Sequence, residues 1–500
     1  MKKLGEKCAV FGVYGKDLDV SRLTFFGLYA LQHRGQESSG IATSDGSCIY
    51  CHKNTGLVAQ VFNDDNIIKF LRGHIAIGHN RYSTSRDSSL DHTQPIVFHQ
   101  DKVCKVTHDG VDCAVTDKNS IALAHNGNLP DTKVLEKFLK EKNVSTENSS
   151  DSEMIVKALE VCTKEDKKIE EAIKEVWPLM TGSFSILIMS QDKLIAIRDA
   201  YGIRPLSVAR LNGGFVFASE TCAFRTIGAE YMRDVLPGEM IVVDENGMRS
   251  TQIVPGKEQL DAFEFVYFSR PDSQLLGKSV YEVRKNFGKQ LFLEYPIEAD
   301  VIIPVPETAV PVAISYSRES GIPYETGLIK NRYIHRTFIE PEQHIRDQGV
   351  KVKLTPLREV IDGKRVVVMD DSIVRGTTSR QIVKALFEVG AKEVHFMISS
   401  PPVRYPDFYG IDTPKQEKLI AANKSIEEIR EFLGATSLNY LSYEGMIKSI
   451  GVPRSNLCTS CFTGEYPIDI GKKKNEIKWL SKAPKSETKR PRVSNILKSV

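Results

Sequence analysis

Five residues in the first part of the chain have side chains or backbone groups suited to amide hydrolysis. Cys8, Arg81, Asn126, Gly127 and Asp151 all lie at the ends of short apolar runs or at the start of a helical pattern. A lone cysteine at a strand start is usually only a small apolar residue. Together, however, these residues offer a thiol nucleophile, an oxyanion hole, and an arginine and a carboxylate that can hold a free amino acid. The set favours glutamine hydrolysis.

The base that would activate Cys8 is not evident, because no Cys-His-Asp set stands out in the sequence. If Cys8 were the first residue, its own α-amine, which titrates near pH ~8, could take the proton. Seven residues, Met1–Lys7, precede it. This interpretation therefore requires that they are removed as a propeptide.

The most specific motif is the run Arg365–Thr378 in the second part of the chain. An apolar stretch ends in Asp370 and Asp371, and a short loop containing Gly376 then opens a helical pattern. Two acids at the end of a parallel strand suit ribose hydroxyls and Mg²⁺, while loop amides and a helix N-terminus suit a phosphate. An acid pair alone would more often only cap the helix, but the whole run favours a ribose-phosphate site.

Two further segments fit a pyrophosphate ligand. The cationic and aromatic stretch Ile329–Ile339 would close over the ligand and exclude water. The turn Pro304–Ala309 follows an apolar run and precedes a helical pattern, so its amides would face the same ligand. Taken alone, either stretch is more often an ordinary surface loop.

Strands and helices must position these residues. Predicted strands are Cys8–Tyr14, His74–Tyr82, Ile121–His125, Ser183–Met189, Val301–Pro304, Val366–Met369 and Val394–Ile398. Predicted helices are Asp131–Lys142, Met154–Cys162 after a capping box at Ser150, Val310–Glu319, and Ser379–Val389 closed by Gly390. The alternation of strands and helices in the second part predicts a parallel sheet with crossover helices. The polar stretch Ser85–Asn119 is predicted to be a surface excursion.

Composition excludes several other classes of protein. The 500 residues carry a net charge of +3, are 41% hydrophobic, and include nine cysteines. We therefore expect two or three globular domains with reduced thiols in the cytoplasm, and neither a nucleic-acid nor a membrane partner. Lys472–Lys498 holds ten basic and two acidic residues and is predicted to be a solvated, partly disordered tail.

These motifs carry a resemblance to known families. The first part resembles the N-terminal-nucleophile glutaminase domain of class II glutamine amidotransferases, and Arg365–Thr378 resembles the ribose-phosphate motif of type I phosphoribosyltransferases. From about Cys8 to Pro467 the chain is similar to the amidophosphoribosyltransferase family. Further matching segments are Asp199–Leu206, Ala218–Thr221, Tyr267–Ser273, Ser399–Pro402 and Tyr409–Asp412.

The resemblance implies a fold that combines α+β and α/β parts. A propeptide (1–7) would precede an αββα glutaminase sandwich (8–250), a parallel-sheet type I phosphoribosyltransferase domain (260–470) and a basic tail (471–500). It also implies a nucleophile at Cys8, an oxyanion pair at Asn126 and Gly127, and a glutamine clamp of Arg81 and Asp151. Magnesium would lie at Thr308, Asp370 and Asp371. Phosphoribosyl pyrophosphate would bind at Lys330, Asp370, Asp371, Ile373, Val374, Arg375, Gly376, Thr377 and Thr378.

The implied reaction begins with glutamine hydrolysis. Ammonia would then displace pyrophosphate from phosphoribosyl pyrophosphate, with Mg²⁺ neutralising the leaving group, to give 5-phosphoribosylamine in the first step of purine synthesis. The resemblance also implies a homo-oligomer that purine nucleotides inhibit.

The sequence departs from the family pattern at three places. Ala9 replaces the usual glycine after the nucleophile, and Thr308 stands where serine is common. Some members carry a four-cysteine iron–sulfur cluster, but the matching places here read Ala262 or Phe263, Asp407, and the region of Ser455 and Cys458. We therefore expect no cluster. The two C-x-x-C pairs, Cys48 with Cys51 and Cys458 with Cys461, together mimic a zinc site. Cys48 and Cys51 lie in a strand-like run, however, where residues i and i+3 face opposite sides, so we expect four uncommitted thiols and no metal.

Two other hypotheses stay open at this point. Ala9 and the polar excursion are compatible with a non-catalytic relative that senses nucleotide or phosphoribosyl pyrophosphate. A retained propeptide would leave only the ammonia-dependent reaction.

Overall fold

The computed structural model describes residues 8–82, 92–98, 106–108, 111–115, 120–165, 167–331, 354–411, 413 and 415–478. The predicted propeptide, residues 332–339 of the basic loop and the tail from residue 479 onward lie outside the described residues. Within the described part of the chain, no helix is long and apolar enough to cross a membrane.

The first part of the chain is built from two antiparallel sheets. Its strands are β1 (Ala9–Tyr14), β2 (Ser38–Ser44), β3 (Cys48–Thr55), β4 (Ile75–Arg81), β5 (Ile96–Phe98), β6 (Val106–His108), β7 (Val111–Val115), β8 (Ile121–Asp131), β9 (Thr181–Met189), β10 (Leu194–Arg198), β11 (Ser207–Leu211), β12 (Gly214–Ala218), β13 (Glu230–Asp234), β14 (Glu239–Asp244) and β15 (Gly247–Gln252). One sheet has the order β13-β11-β12-β1-β4-β2-β3-β7-β6, and the other has the order β15-β14-β10-β9-β8-β5.

The two sheets pack face to face, and helices cover their outer faces. Side chains such as Val10, Ile77, Leu187 and Ile241 form the core between the sheets. The helices are Val20–Ala30, Val58–Val61, Asp65–Phe70, Lys133–Glu141, Asp151–Lys164, Ile169–Val176 and Cys222–Ile227. They bury their apolar sides against the outer faces in two separate cores. The predicted αββα sandwich is confirmed.

The second part contains the predicted parallel sheet. The strands of this second part of the chain are β16 (Leu260–Asp261), β17 (Gln274–Leu275), β18 (Lys278–Ser279), β19 (Val301–Pro304), β20 (Leu328–Lys330), β21 (Leu354–Pro356), β22 (Arg365–Asp370), β23 (Glu393–Ile398), β24 (Ser437–Tyr440) and β25 (Leu457–Cys458). The sheet has the order β19-β22-β23-β24, and all its pairs are parallel. The carboxyl end of β22, with Asp370, is therefore central.

Helices lie on both sides of this parallel sheet and enclose two cores. They are Val280–Glu294, Val310–Ser320, Arg358–Ile361, Thr377–Glu388, Ile420–Asn423, Ile426–Leu433, Tyr443–Ile450 and Ser460–Thr463. The segment Glu264–Phe268 forms a π-helical turn. Gly390, with φ +103°, follows the end of the helix that begins at Thr377, as its sequence position predicted.

Part of the polar stretch Ser85–Asn119 is not a surface excursion. Thr93 and Gln94 are only 1% and 8% exposed, and β5 pairs with β8 in the second sheet. The prediction was wrong here because polar residues were taken to be solvated, whereas Gln94 is buried with hydrogen-bond partners. The start of the basic tail is also ordered: Gly471–Glu476 forms a 3₁₀ turn, and Gln416 exchanges hydrogen bonds with the backbone of Lys478.

Candidate active sites

The strand that follows Cys8 lies in the middle of the nine-stranded sheet. β1 pairs with β12 on one side and with β4 on the other, and Ala9 lies opposite Asn80. Continuing this antiparallel register by one residue brings Cys8 beside Arg81, the last residue of β4. Both residues are half-buried, and they lie at neighbouring ends of these two strands. The sheet therefore joins the candidate nucleophile to the candidate carboxylate clamp.

The predicted oxyanion pair lies on β8 of the facing sheet. The Asn126 side chain is fully buried, and its Nδ2 donates a hydrogen bond to Ser219 Oγ at 3.3 Å. The same Ser219 oxygen accepts from the Val10 backbone N–H at 2.9 Å. At Gly127, an added methyl group would lie 2.1 Å from the Ser183 carbonyl oxygen, so only glycine fits. The Asn126 amide is thus held next to the strand that begins after Cys8.

Asp151 is the first residue of the helix Asp151–Lys164. Ser150 and Glu153 form the predicted capping box in front of it, with Ser150 N–H donating to Glu153 Oε2 at 2.6 Å. The Asp151 carboxylate accepts hydrogen bonds from Ser152 N at 2.7 Å and from Leu129 N at 3.0 Å. These contacts fix its orientation, and the helix N-terminus favours its negative charge.

One cavity of about 840 Å³ joins four of the five predicted glutaminase residues. Its lining includes Cys8, Arg81, Gly127 and Asp151 from the first part of the chain. The second part supplies Pro406–Phe408, Gly410, Ala422 and Asn423, and the start of the tail supplies Lys473, Glu476 and Lys478. Asn126 is not among the lining residues, because its side chain is turned toward Ser219. Four of the five predicted glutaminase residues therefore share a single space.

The sequence interpretation missed His125 and Gln94, which support this site. His125 Nδ1 lies 2.9 Å from Ser152 Oγ, and the His125 backbone N–H donates to Gln94 Oε1 at 2.7 Å. Gln94 Nε2 donates in turn to Ser152 Oγ at 3.2 Å. The ring also lies 3.9 Å from Asp151 Oδ2, so a Cys-His-Asp grouping does line the cavity. Burial lowers the pKa of His125, while the charge of Asp151 opposes that change.

The predicted phosphate loop forms a small cradle at the carboxyl end of β22. A cavity of about 50 Å³ is lined by Tyr267 and by every residue from Asp370 to Ser379. Asp370 and Asp371 are both 7% exposed, and the Asp371 N–H donates to Asp370 Oδ1 at 2.9 Å. Gly376 has φ +75° and stands immediately before the helix Thr377–Glu388. The loop amides and the helix N-terminus thus meet in one concave surface.

Thr308 and Lys330 lie outside that small cradle. Thr308 follows β19, whose last residue Pro304 pairs with Met369, so it lies at the same edge of the sheet as Asp370. Lys330 is exposed at the end of β20, next to the part of the basic loop that lies outside the described residues. The structure therefore brings eight of the nine predicted phosphoribosyl pyrophosphate residues together and leaves Lys330 apart.

Tyr267 and Arg284 are two further residues near the cradle that the sequence interpretation did not assign to it. Arg284 is buried, and it donates hydrogen bonds to the carbonyl oxygens of Phe265 at 2.9 Å and Ser269 at 2.8 Å. Burial lowers the pKa of Arg284 to about 10, while the charge of Asp371 opposes that change. Arg284 thus places a buried positive charge near Asp371. Tyr267 lies in a segment that matches the family, and this match could have indicated from the sequence that it belongs to the site.

A buried charge network joins the two parts of the chain. Arg34 donates to Glu264 at 2.7 and 3.0 Å and also pairs with Glu220, and Arg204 lies 2.8 Å from Glu264. Burial alone would raise the pKa of Glu220, but the charges of His33 and Arg34 lower it overall. Since each carboxylate has a cationic partner, the network holds both parts in register.

A second polar cluster lies where β16 pairs with β25. This pairing brings Asp261 beside Cys458, and Ser460 Oγ donates to Asp407 Oδ2 at 3.4 Å. Burial raises the pKa of the Cys458 and Cys461 thiols, and so do the charges of Asp261 and Asp407. Among the described residues, no group of three or more His, Cys, Asp or Glu side chains is arranged to hold a metal ion.

Both parts of the chain match family models. A glutamine amidotransferase domain matches residues 99–226, and a phosphoribosyl transferase domain matches residues 275–405. An amidophosphoribosyltransferase from Synechocystis is 46% identical over 470 residues, which covers 93% of this chain and 92% of the relative. The Bacillus subtilis enzyme of the same name is 43% identical over 475 residues, covering 94% and 96%.

The chain belongs to the amidophosphoribosyltransferase family. A solved structure of the B. subtilis glutamine phosphoribosylpyrophosphate amidotransferase, complexed with ADP and GMP, has a TM-score of 0.84 and 43% identity and covers 93% of this chain and 98% of its own. A second structure, described as the allosteric regulatory enzyme of purine biosynthesis, has a TM-score of 0.84 and 42% identity, with coverage of 95% and 100%.

Membership in the amidophosphoribosyltransferase family confirms the predicted activity. The chain is a glycosyltransferase that uses glutamine to convert phosphoribosyl pyrophosphate to 5-phosphoribosylamine, the first step of purine biosynthesis. The non-catalytic alternative is thereby set aside.

Proposed function

We propose that Cys8, once Met1–Lys7 has been removed, is the nucleophile that attacks the glutamine amide. Its new α-amine, which titrates near pH ~8, would take the thiol proton, because burial lowers the pKa of His125 and makes its ring a weaker base. One observation carries this proposal: Cys8, Arg81, Gly127 and Asp151 line the same cavity. A nucleophile, a substrate clamp and an oxyanion donor are what acyl transfer from a free amino acid requires.

Within this site, Arg81 holds the α-carboxylate of glutamine and Asp151 holds the α-ammonium group. The Asn126 amide and the Gly127 N–H stabilise the oxyanion that develops when the thiolate attacks. Ser219 supports Asn126 in this role, because its hydroxyl links the amide to the backbone of Val10.

We further propose that the cradle at β22 binds phosphoribosyl pyrophosphate. Asp370 and Asp371 hold the ribose hydroxyls, and the backbone of Ile373–Thr378 binds the 5′-phosphate. Lys330 approaches the pyrophosphate from the basic loop.

The residues present fit a bound Mg²⁺. Mg²⁺ in nucleotide sites commonly uses one or two carboxylates together with substrate phosphates, and Asp370 and Asp371 provide two buried carboxylates at the rim of the cradle. The Thr308 hydroxyl lies at the same edge of the sheet. When bound, Mg²⁺ would neutralise the pyrophosphate leaving group.

The contacts between the two sites support direct transfer of ammonia within the protein. Ala422 and Asn423 line the glutaminase cavity, while the N–H of Ile420, two residues earlier, donates to the carbonyl oxygen of Val374 in the phosphate loop at 2.9 Å. One short segment therefore borders both sites. A shielded route is needed, because ammonia released into bulk water would be protonated and lost.

The remaining assignments are also proposals. The glutaminase domain spans about 8–250, and its last strand reaches Gln252. The phosphoribosyltransferase domain spans 260–470, and residues 471–500 follow it. Since the related B. subtilis structure contains ADP and GMP, we propose that purine nucleotides inhibit this enzyme. We propose further that it is a cytoplasmic homo-oligomer without an iron–sulfur cluster.

The test compares wild type with Cys8→Ala in glutamine-dependent and ammonia-dependent synthesis of phosphoribosylamine. We expect Cys8→Ala to abolish glutamine use while the rate with ammonia stays within about twofold, because only the first site needs the thiol. Glutamine turnover that survives in Cys8→Ala would refute the role of Cys8. Loss of both reactions would refute the separation of the two sites.

A further inference from the structure

A turn of the phosphoribosyltransferase domain packs against the strand that carries Gly127. Asn128 Nδ2 donates to the Phe408 carbonyl oxygen at 2.8 Å, and Ser183 Oγ donates to the Tyr409 carbonyl oxygen. A methyl group added to Gly410 would lie 3.2 Å from the carbonyl carbon of Gly127. The backbone of the turn and the backbone of the proposed oxyanion residue are therefore in close contact.

Asp407 shapes this turn. Its Oδ1 atom accepts hydrogen bonds from Tyr409 N at 2.8 Å and from Ile411 N at 2.9 Å, and its side chain is buried. Between these two donors, Gly410 has φ +107°, which L-residues with a side chain rarely adopt. A buried carboxylate that accepts the N–H groups of two residues, two positions apart, fixes such a turn, because charge-assisted hydrogen bonds are stronger than neutral ones.

We propose that Asp407 is a positioning residue for glutamine hydrolysis. By holding Phe408–Gly410 against Gly127 and Asn128, it keeps the oxyanion donors where the charge of the transition state develops. The second domain thus supplies part of the framework of the first active site. This inference rests on the proposed function of Gly127 in that site.

The proposal predicts a specific kinetic effect. Oxyanion donors act mainly in the transition state, so a small displacement lowers kcat more than it raises KM. Asp407 does not contribute to the β22 cradle, so synthesis from ammonia does not depend on it. Arg81 and Asp151, which would hold glutamine, lie on other elements.

The experiment measures both reactions in Asp407→Ala and Asp407→Asn of the full-length enzyme. For Asp407→Ala, we expect kcat with glutamine to fall roughly 10- to 100-fold, KM for glutamine to change less than about threefold, and the ammonia rate to stay within about twofold. Asp407→Asn should recover most of the glutamine rate, because its amide oxygen can still accept the two N–H bonds. Ser460→Ala is the matched control: it removes the hydrogen bond from Ser460 to Oδ2 and leaves the two bonds that hold the turn, so both rates should be unchanged.

Ser183→Ala tests the same contact from the glutaminase side. We expect a several-fold loss of kcat with glutamine alone, and a combined effect with Asp407→Ala that is smaller than the product of the single effects. If Asp407→Ala does not fold, the glutamine and ammonia rates of Ser183→Ala alone test the proposal. Unchanged glutamine rates, or an equal loss of both reactions, would overturn the proposal. Wild-type enzyme is assayed in parallel to distinguish failure of this proposal from failure of the proposed function. If processed wild type does not use glutamine, the proposed function itself is wrong.

Discussion

Asn126 and Ser219 are joined by a hydrogen bond of 3.3 Å between Asn126 Nδ2 and Ser219 Oγ, across the interface between the two sheets. Ser219 also accepts the N–H of Val10, two residues after Cys8. A single hydroxyl group therefore ties the candidate oxyanion amide to the strand that follows the candidate nucleophile.

Replacing Ser219 with alanine should weaken glutamine hydrolysis selectively. The Asn126 amide would lose its anchor, and we expect kcat with glutamine to fall about tenfold while the ammonia-dependent rate is unchanged. Steady-state assays of both reactions measure this. Ser207→Ala serves as the control, since Ser207 binds Asp234 on the same sheet and β12 lies between its strand and β1. Equal losses in Ser219→Ala and Ser207→Ala would speak against a specific role.

Active enzyme should begin at Cys8. Intact-mass measurement of purified protein should show the loss of Met1–Lys7, and the glutamine-dependent rate should rise with pH as the new α-amine loses its proton near pH ~8. The ammonia-dependent rate of Cys8→Ala, corrected for the fraction of free ammonia, provides the control profile. Glutamine turnover by protein that retains all seven residues would show that the α-amine is not the base.

Gly376→Ala should impair binding of phosphoribosyl pyrophosphate. Gly376 has φ +75°, where a residue with a side chain is strained, and a methyl group there would lie 2.9 Å from Ile420 Cδ1, so the Ile420 side chain or the loop must shift. We expect KM for phosphoribosyl pyrophosphate to rise about tenfold with either nitrogen source, because both reactions use this site. Gly434→Ala is a matched control with φ +73° and nothing within 4 Å of the added methyl. If both variants behave alike, backbone strain alone explains the effect.

Asp261→Asn should change how stability depends on pH. Burial, followed by the charge of Asp407, raises the pKa of Asp261 to about 8. Because the folded protein keeps a proton that the unfolded chain has lost, Asp261 destabilises the native state progressively as pH rises from about 4 to about 8, by at most about 1.4 kcal/mol per pH unit. The urea midpoint of wild type should therefore fall relative to that of Asp261→Asn between pH 5.5 and 8. Parallel curves for the two proteins would contradict the raised pKa.

Much of the architecture could be predicted from local patterns. Alternating strands and helices indicated the parallel sheet, and the capping box at Ser150 marked the start of the helix that carries Asp151. The cradle at Asp370–Thr378 could be located from the sequence, because the strand, the loop and the helix N-terminus are contiguous in sequence. Such local patterns can be interpreted without the tertiary structure, since each depends on residues only a few positions apart.

The supporting residues could not be predicted in this way. Gln94 lies in a polar stretch that resembled a surface loop, yet it is buried and donates to Ser152. His125 carried no signal of its own beside Asn126 and Gly127. Their roles arise from hydrogen bonds between segments distant in sequence, which depend on how the two sheets and the helix pack.

By itself the sequence identified the candidates for the chemistry: the thiol of Cys8, its proposed clamp and oxyanion residues, and the acids of the proposed phosphate loop. Tertiary structure decided how those residues are supported. It turned Asn126 toward Ser219, and it placed the Asp407 turn of one domain against Gly127 of the other. Reactive groups are selected by residue type, whereas their exact orientation comes from long-range contacts that only the folded chain makes.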